Sequence, residues 1–283
     1  LELSAETLSI PAHPVDIPTS AQLLWAFNLD LGGIRMRYAT ANLICRIEID
    51  SRPVYVFYAL DDLAPEFAFE EGALSAVTGT PHHCGTADNL VLLNGLAPGP
   101  GCLLDLEGRH GGRVSLLVLS AADSLRLWKL DLWGLPRLLL SPASVWVDNE
   151  MHLSARDPDD LWFAIYPEPQ HAPQQAASPL ASSQLGVFAQ YRPQVALQQI
   201  EIEVRKIQPA GRARAVVIGP AGVAQAPPDA AYENGEAWTV HLPPNALQNL
   251  RELYLCVEYT ADAARAYLRG EMIASMDQEL IAD

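Results

Sequence analysis

Three clusters of side chains in this sequence have the types that do chemistry. His82, His83 and Cys84 stand consecutively, with His110 further on, and imidazole and thiolate are zinc ligands. Neighbours on one backbone rarely face the same metal and no fourth ligand is specified, so a polar loop tip is expected rather than a metal site. Asp157, Asp159 and Asp160 in RDPDD carry the carboxylate oxygens that Ca2+ favours. Pro158 between them points instead to a turn ahead of a strand from Leu161. Asp61, Asp62, Glu66, Glu70 and Glu71 crowd one stretch and could be taken for an acid pair, but read as a solvated charge run. No G-x-S-x-G precedes a helix, and no Gly-rich phosphate loop opens one. The residues therefore predict no catalytic group, no metal and no cofactor.

Aromatic side chains are the remaining chemical handle, because the C–H face of a sugar stacks on an indole while its hydroxyls pair with carboxylates or amides. The supply is Trp25, Trp128, Trp133, Trp146, Trp162 and Trp238. In a chain of alternating strands most of these are expected as core or interdomain contacts. Trp238, with Tyr232 and Asn234 just before it in a loop, is the candidate carbohydrate contact.

The elements that must position these groups are strands. Leu29 to Phe69 alternates short runs rich in Ile, Val, Tyr and Phe with turn signals, the spacing of an antiparallel meander. Val54, Val56 and Tyr58 share one face and Tyr55, Phe57 and Ala59 the other; both are apolar, which predicts a central strand of a sandwich. Residues 79 to 112 are rich in turns. Strands are expected again at Val114 to Leu119, Leu125 to Leu130, Pro136 to Leu140, Ser144 to Val147 and Leu161 to Tyr166, with one helix over Ala121 to Leu130 as the alternative. The segment from Pro167 to Gln184 is built from Pro, Gln, Ala and Ser and reads as a linker or long exposed loop. Beyond it, strands are expected at Gln198 to Lys206, Val216 to Ile218, Glu236 to Leu242 and Leu253 to Tyr259, then a hairpin from Ala264 to Ala274 turning at Arg269-Gly270.

Composition narrows the partners. The 283 residues carry a formal charge of −16 and only Lys129 and Lys206 as ammonium groups, which opposes nucleic acid and anionic membrane. No apolar run approaches the roughly 20 residues of a membrane helix. The four cysteines, Cys45, Cys84, Cys102 and Cys256, are too few and scattered for a disulfide framework. Leu1 in place of Met, with no signal segment before the fold, suggests a piece of something longer.

Two stretches resemble bacterial family-35 glycoside hydrolases of the beta-galactosidase type. In the first, Ala39, Thr40 and Ala41 are followed in register by Tyr55, Phe57, Pro65, Glu66 and Phe67, as in the β-domain that follows the catalytic barrel of those enzymes. In the second, Tyr259, Asp262, Ala264, Arg265, Tyr267 and Gly270 match the close of their C-terminal jelly roll, with Ala261 where the pattern has Gly and Arg269 where it has Asp. Such enzymes are similar to other retaining glycosidases in using two carboxylates about 5 Å apart. They hold these at the strand ends of a (β/α)8 barrel that takes about 250 residues of alternating strand and helix, a pattern this chain lacks.

The expectation is thus an all-β chain of two domains: a β-sandwich over residues 1–166, a linker over 167–184, and a smaller galactose-binding-like jelly roll over 185–283. The resemblance implies non-catalytic accessory domains, a catalytic barrel of the parent chain as partner, and a galactoside as ligand. Asp262 and Arg265 read as a turn and a structural ion pair. The alternatives are a free-standing carbohydrate-binding module or lectin, and a hydrolase whose site lies in the β-domains.

Overall fold

The computed structural model describes residues 10–12, 14–19, 21–175, 178–195, 200–248, 253, 255, 257–261 and 263–277. The chain is all-β, as its two-residue periodicity predicts, and divides into the units Leu1–Val195 and Ala196–Asp283.

In the first unit, β1 (Trp25–Asp30) pairs with the opening half of β2 (Arg35–Ile49), whose closing half forms a hairpin with β3 (Arg52–Tyr58). Asp50 and Ser51, both at positive φ, make the two-residue turn between them. β4 (Phe67–Glu70) also pairs with β2. The remaining strands of this sheet are β5 (Leu74–Gly79), β6 (His83–Ala87), β7 (Leu90–Asn94), β8 (Leu103–Gly108) and β9 (Arg113–Leu119). The order is β5-β8-β9-β3-β2-β4-β7-β6, with β1 also against β2. This is not the meander the spacing suggests. β4 returns to β2 instead of β3, and β3 takes β9 as a parallel neighbour, Val54 opposite Ser115 and Tyr58 opposite Leu119.

A second sheet follows. α1 (Ala121–Ser124) is a single turn; its N-cap Ser120 accepts from the Asp123 amide at 3.1 Å. The ten-residue helix weighed for this stretch stops there, because the next residues pair as β10 (Leu127–Leu132) with β11 (Leu135–Leu140). β12 (Ser144–Val147) and β13 (Met151–Ser154) form a separate hairpin, and β14 (Phe163–Tyr166) joins β11. β15 (Gln174–Gln175) pairs with β16 (Ser178–Pro179). β17 (Ser182–Leu185) and β18 (Phe188–Tyr191) then complete a five-stranded sheet in the order β10-β11-β14-β18-β17.

The expected linker is therefore corrected. Residues 182–191 belong to a sheet of the first unit, and the chain divides between Val195 and Ala196. β17 is held by its pairing with β18, which in turn pairs with β14, and the polar composition of Ser182 to Gln184 conceals this. Gly186, at φ +62, turns β17 into β18 so close to the first sheet that a Cβ there would sit 2.3 Å from the Pro100 carbonyl, while the Val187 amide donates to that carbonyl at 3.0 Å.

Three of the apolar clusters in the first unit form its layers. Tyr55 and Phe57 of β3 point into one with Met36, Phe67, Phe69, Leu104 and Val118. Phe57 and Phe67 meet edge to face at 5.1 Å. Val54 and Val56 point the other way, into a layer where Ile47, Leu117 and Leu119 meet Leu138, Leu140, Ala164 and Phe188 of the five-stranded sheet. This is sheet-on-sheet packing, and β3 is its central strand, as its two apolar faces predict. The third layer lies on the far side of the five-stranded sheet, where Leu139, Phe163, Ile165 and Tyr191 are covered by Val145, Met151 and Leu153 of β12 and β13. Each such buried aliphatic or aromatic side chain contributes roughly 1.5–3 kcal/mol.

In the second unit, β19 (Glu203–Gln208) pairs with β20 (Ala237–His241), and α2 (Asp229–Tyr232) precedes β20. β21 (Ala263–Leu268) and β22 (Glu271–Asp277) form the expected closing hairpin, with Arg269 and Gly270 both at positive φ in its turn. Two expected strands differ. Val216 to Ile218 contributes a single bridge, Ile218 to Ala224. Of Leu253 to Tyr259, Leu253, Leu255, Val257, Glu258 and Tyr259 lie in no strand, and the rest of that run is outside the described residues, as are Asp262 and Gln198.

Candidate functional site

Trp238 stands on β20 directly opposite Lys206 of β19. Its ring is half exposed, and the Lys206 ammonium lies 4.6 Å from the ring centroid. The same ammonium is 3.0 Å from Glu236 Oε1, and this hydrogen bond, with a smaller contribution from Trp238, holds the Glu236 carboxyl below its ordinary value. One face of the indole is thus covered by a cation while about half of the residue stays exposed.

Tyr232 ends α2, and the Arg265 guanidinium from β21 sits 3.8 Å from its ring centroid while its Nη2 pairs with Asp229 Oδ1 at 2.7 Å. Arg265 is the structural ion-pair residue the sequence suggests, with Asp229 as its partner. Asn234 takes a backbone role: its carbonyl accepts from the Gly211 amide at 2.9 Å and its amide donates to the Ala231 carbonyl. The three predicted contacts are held by different neighbours, Trp238 by Lys206, Tyr232 by Arg265 and Asn234 by Gly211.

The other clusters resolve into structural parts. His83 and Cys84 begin the edge strand β6 instead of capping a loop, and the His82 Nδ1 donates to the Thr80 carbonyl at 2.8 Å. Asp157 accepts from the Asp159 amide at 2.9 Å and caps the 3-10 turn Pro158–Asp160, the turn expected there. Among the described residues no three His, Cys, Asp or Glu side chains converge in a metal-binding arrangement.

The acidic run contains one correction. Glu66, expected in solvent with its neighbours, is 6% exposed. Its Oε1 accepts from the Tyr38 hydroxyl at 2.7 Å and from the Ala12 amide at 3.0 Å, and its own amide donates to Thr40 Oγ1 at 2.7 Å. Burial first, then the bond and charge of Glu66, push the Tyr38 hydroxyl well above the usual tyrosine range. Glu70 meets Arg37 at 3.3 Å in a partly exposed pair.

One constellation escapes sequence reasoning. Arg52, Asp105, Ser115 and Tyr166, from β3, β8, β9 and β14, border an open cleft of about 360 Å³ between the two sheets of the first unit. Arg52 Nη1 lies 2.9 Å from Asp105 Oδ1, and the Ser115 hydroxyl donates to the same oxygen at 2.5 Å. Four residues spread over more than a hundred positions leave no local signal; only the strand order brings them together.

Compared with known protein families and with curated protein sequences, the chain matches none.

Proposed function

We propose that this chain forms the non-catalytic β-domains of a beta-galactosidase-like glycoside hydrolase, supporting a catalytic barrel carried by the parent chain and bordering its carbohydrate cleft. The second unit is, on this reading, the galactose-binding-like jelly roll. The observation that carries it is the use made of the Pro65-Glu66-Phe67 segment. Its carboxylate is spent on structural hydrogen bonds to Tyr38 and to the Ala12 amide, and Phe67 lies in the core against Phe57. The residues that resemble the family's β-domain thus build β2, β3, β4 and their packing, which is the work of a scaffold.

The test compares hydrolysis of an aryl beta-galactoside by this chain and by the same chain extended upstream of Leu1 as its gene encodes. Turnover by the extended protein alone is expected. Turnover by this chain, abolished by Glu66→Gln or Glu70→Gln, would overturn the proposal and make the β-domains themselves the hydrolase.

A second reading, a free-standing carbohydrate-binding module, draws on Trp238, which is half exposed. A glycan-array signal lost in Trp238→Ala would favour it.

A further inference from the structure

We propose that the intersheet cleft of the first unit, bordered by Arg52, Asp105, Ser115 and Tyr166, binds one unit of a neutral saccharide. The site goes beyond the accessory role above and stands independently of any barrel.

The cleft is amphipathic. Val54 and Leu103 line it with apolar surface continuous with the core between the sheets, and Tyr166 adds an aromatic ring fixed against Phe188 at 5.8 Å. Arg52 and Asp105 share this lining, both about a third exposed at the side chain and already oriented by their 2.9 Å pairing. Ser115, only 2% exposed, donates to Asp105 Oδ1, so that carboxylate is held from two sides. Among the described residues, Asp105 Oδ2 and the other guanidinium nitrogens of Arg52 have no hydrogen-bond partner and remain to meet a ligand. The Tyr166 hydroxyl joins them: burial first, then the charge of Asp105, raises its pKa, with Arg52 acting in the opposite sense. A carboxylate acceptor, guanidinium donors and a phenol thus face one space over an apolar floor.

Charge and size select the ligand class. Asp50 and Asp105 outnumber Arg52 around the cleft, in a chain of net charge −16, which disfavours a phosphate or other anion. Arg52 at the centre disfavours a cation. A neutral ligand with adjacent hydroxyls satisfies carboxylate and guanidinium together, and its C–H face covers Val54, Leu103 and the Tyr166 ring. A volume of about 360 Å³ lies at the small end of ligand sites, matching a single ring and not an oligomer.

The experiment is a protein-observed NMR titration of the whole chain with the methyl glycosides of galactose, glucose and mannose, with inorganic phosphate and spermidine as charged comparisons. Saturable shifts are expected for at least one glycoside on residues of β3, β8, β9 and β14. Asp105→Asn is expected to weaken binding about tenfold, which is about 1.4 kcal/mol. Tyr166→Phe, which keeps the ring and the fold, should weaken it several-fold. The proposal is overturned if no glycoside gives saturable shifts, if phosphate or spermidine binds there instead, or if Tyr166→Phe binds as the parent does. None of these outcomes depends on galactoside hydrolysis, so this site and the accessory role fail separately.

Discussion

The Tyr38 hydroxyl donates a 2.7 Å hydrogen bond to Glu66, a carboxylate with 6% of its surface exposed. A hydrogen bond to a buried charge is worth about 1.5–3 kcal/mol, more than one between neutral groups. Tyr38→Phe is therefore expected to destabilise the chain by about that amount in urea unfolding. An unchanged midpoint would show that Glu66 finds another donor at no cost.

The same pair sets an alkaline limit. The folded pKa of Tyr38 lies above its unfolded value of about 10. The stability this gives is fully present below about pH 10 and is lost as pH rises through the folded value, because the unfolded state releases the proton first. The stability of the parent chain should fall above pH 10 more steeply than that of Tyr38→Phe. Parallel pH profiles would refute the assignment.

Asp148 and His152 make a second pH-sensitive contact at 3.0 Å, with His152 stacked on Trp146 across the β12–β13 hairpin. The backbone amide of Glu150, then the bond from His152, holds the Asp148 carboxyl down to about 2. Its contribution is present above the ordinary aspartate value near 4 and is lost as pH falls through the folded value. In His152→Ala the Asp148 carboxyl should titrate closer to its ordinary value by NMR, though the amide of Glu150 keeps it depressed.

Gly186 and Trp133 are opposite cases of positive φ. Gly186→Ala forces a Cβ against the Pro100 carbonyl and should lower Tm, at a cost of about 1–3 kcal/mol for the clash. Trp133, at φ +53 before Gly134 in the β10–β11 turn, is an aromatic in a conformation that favours Asn. Trp133→Asn loses the contact with Arg137, 5.6 Å from the ring, yet relieves strain of about 1–3 kcal/mol. A Tm equal to or above that of the parent is expected, and a clear drop would mean the ring is needed.

Burial separates the thiols. Cys84 is exposed on β6, whereas burial pushes the Cys102 thiol up to about 11. Alkylation mapped by mass spectrometry at neutral pH should label Cys84 long before Cys102. Equal rates would mean that the loop from Gly99 to Cys102 opens freely.

What the sequence reveals follows from the range of each signal. The alternation of Val54 to Tyr58 records both faces of β3, and Arg269-Gly270 announces its turn, because these patterns are local. β17 hides behind Ser182, Ser183 and Gln184, since the strand is defined by its pairing with β18 and not by apolar residues. The burial of Glu66 is illegible for a related reason: Tyr38 and the Ala12 amide reach it from distant positions. The cleft of Arg52, Asp105, Ser115 and Tyr166 depends on strand order throughout.

The parallel ladder of β3 and β9, with Val54 opposite Ser115, has a consequence for biosynthesis. As the nascent chain leaves the ribosome, β3 waits with one open edge until some sixty further residues have emerged, and such distant pairings are slow to close. Translation that stalls before β9 would release an aggregation-prone intermediate, so chaperone dependence should track the speed with which codons 59 to 113 are read.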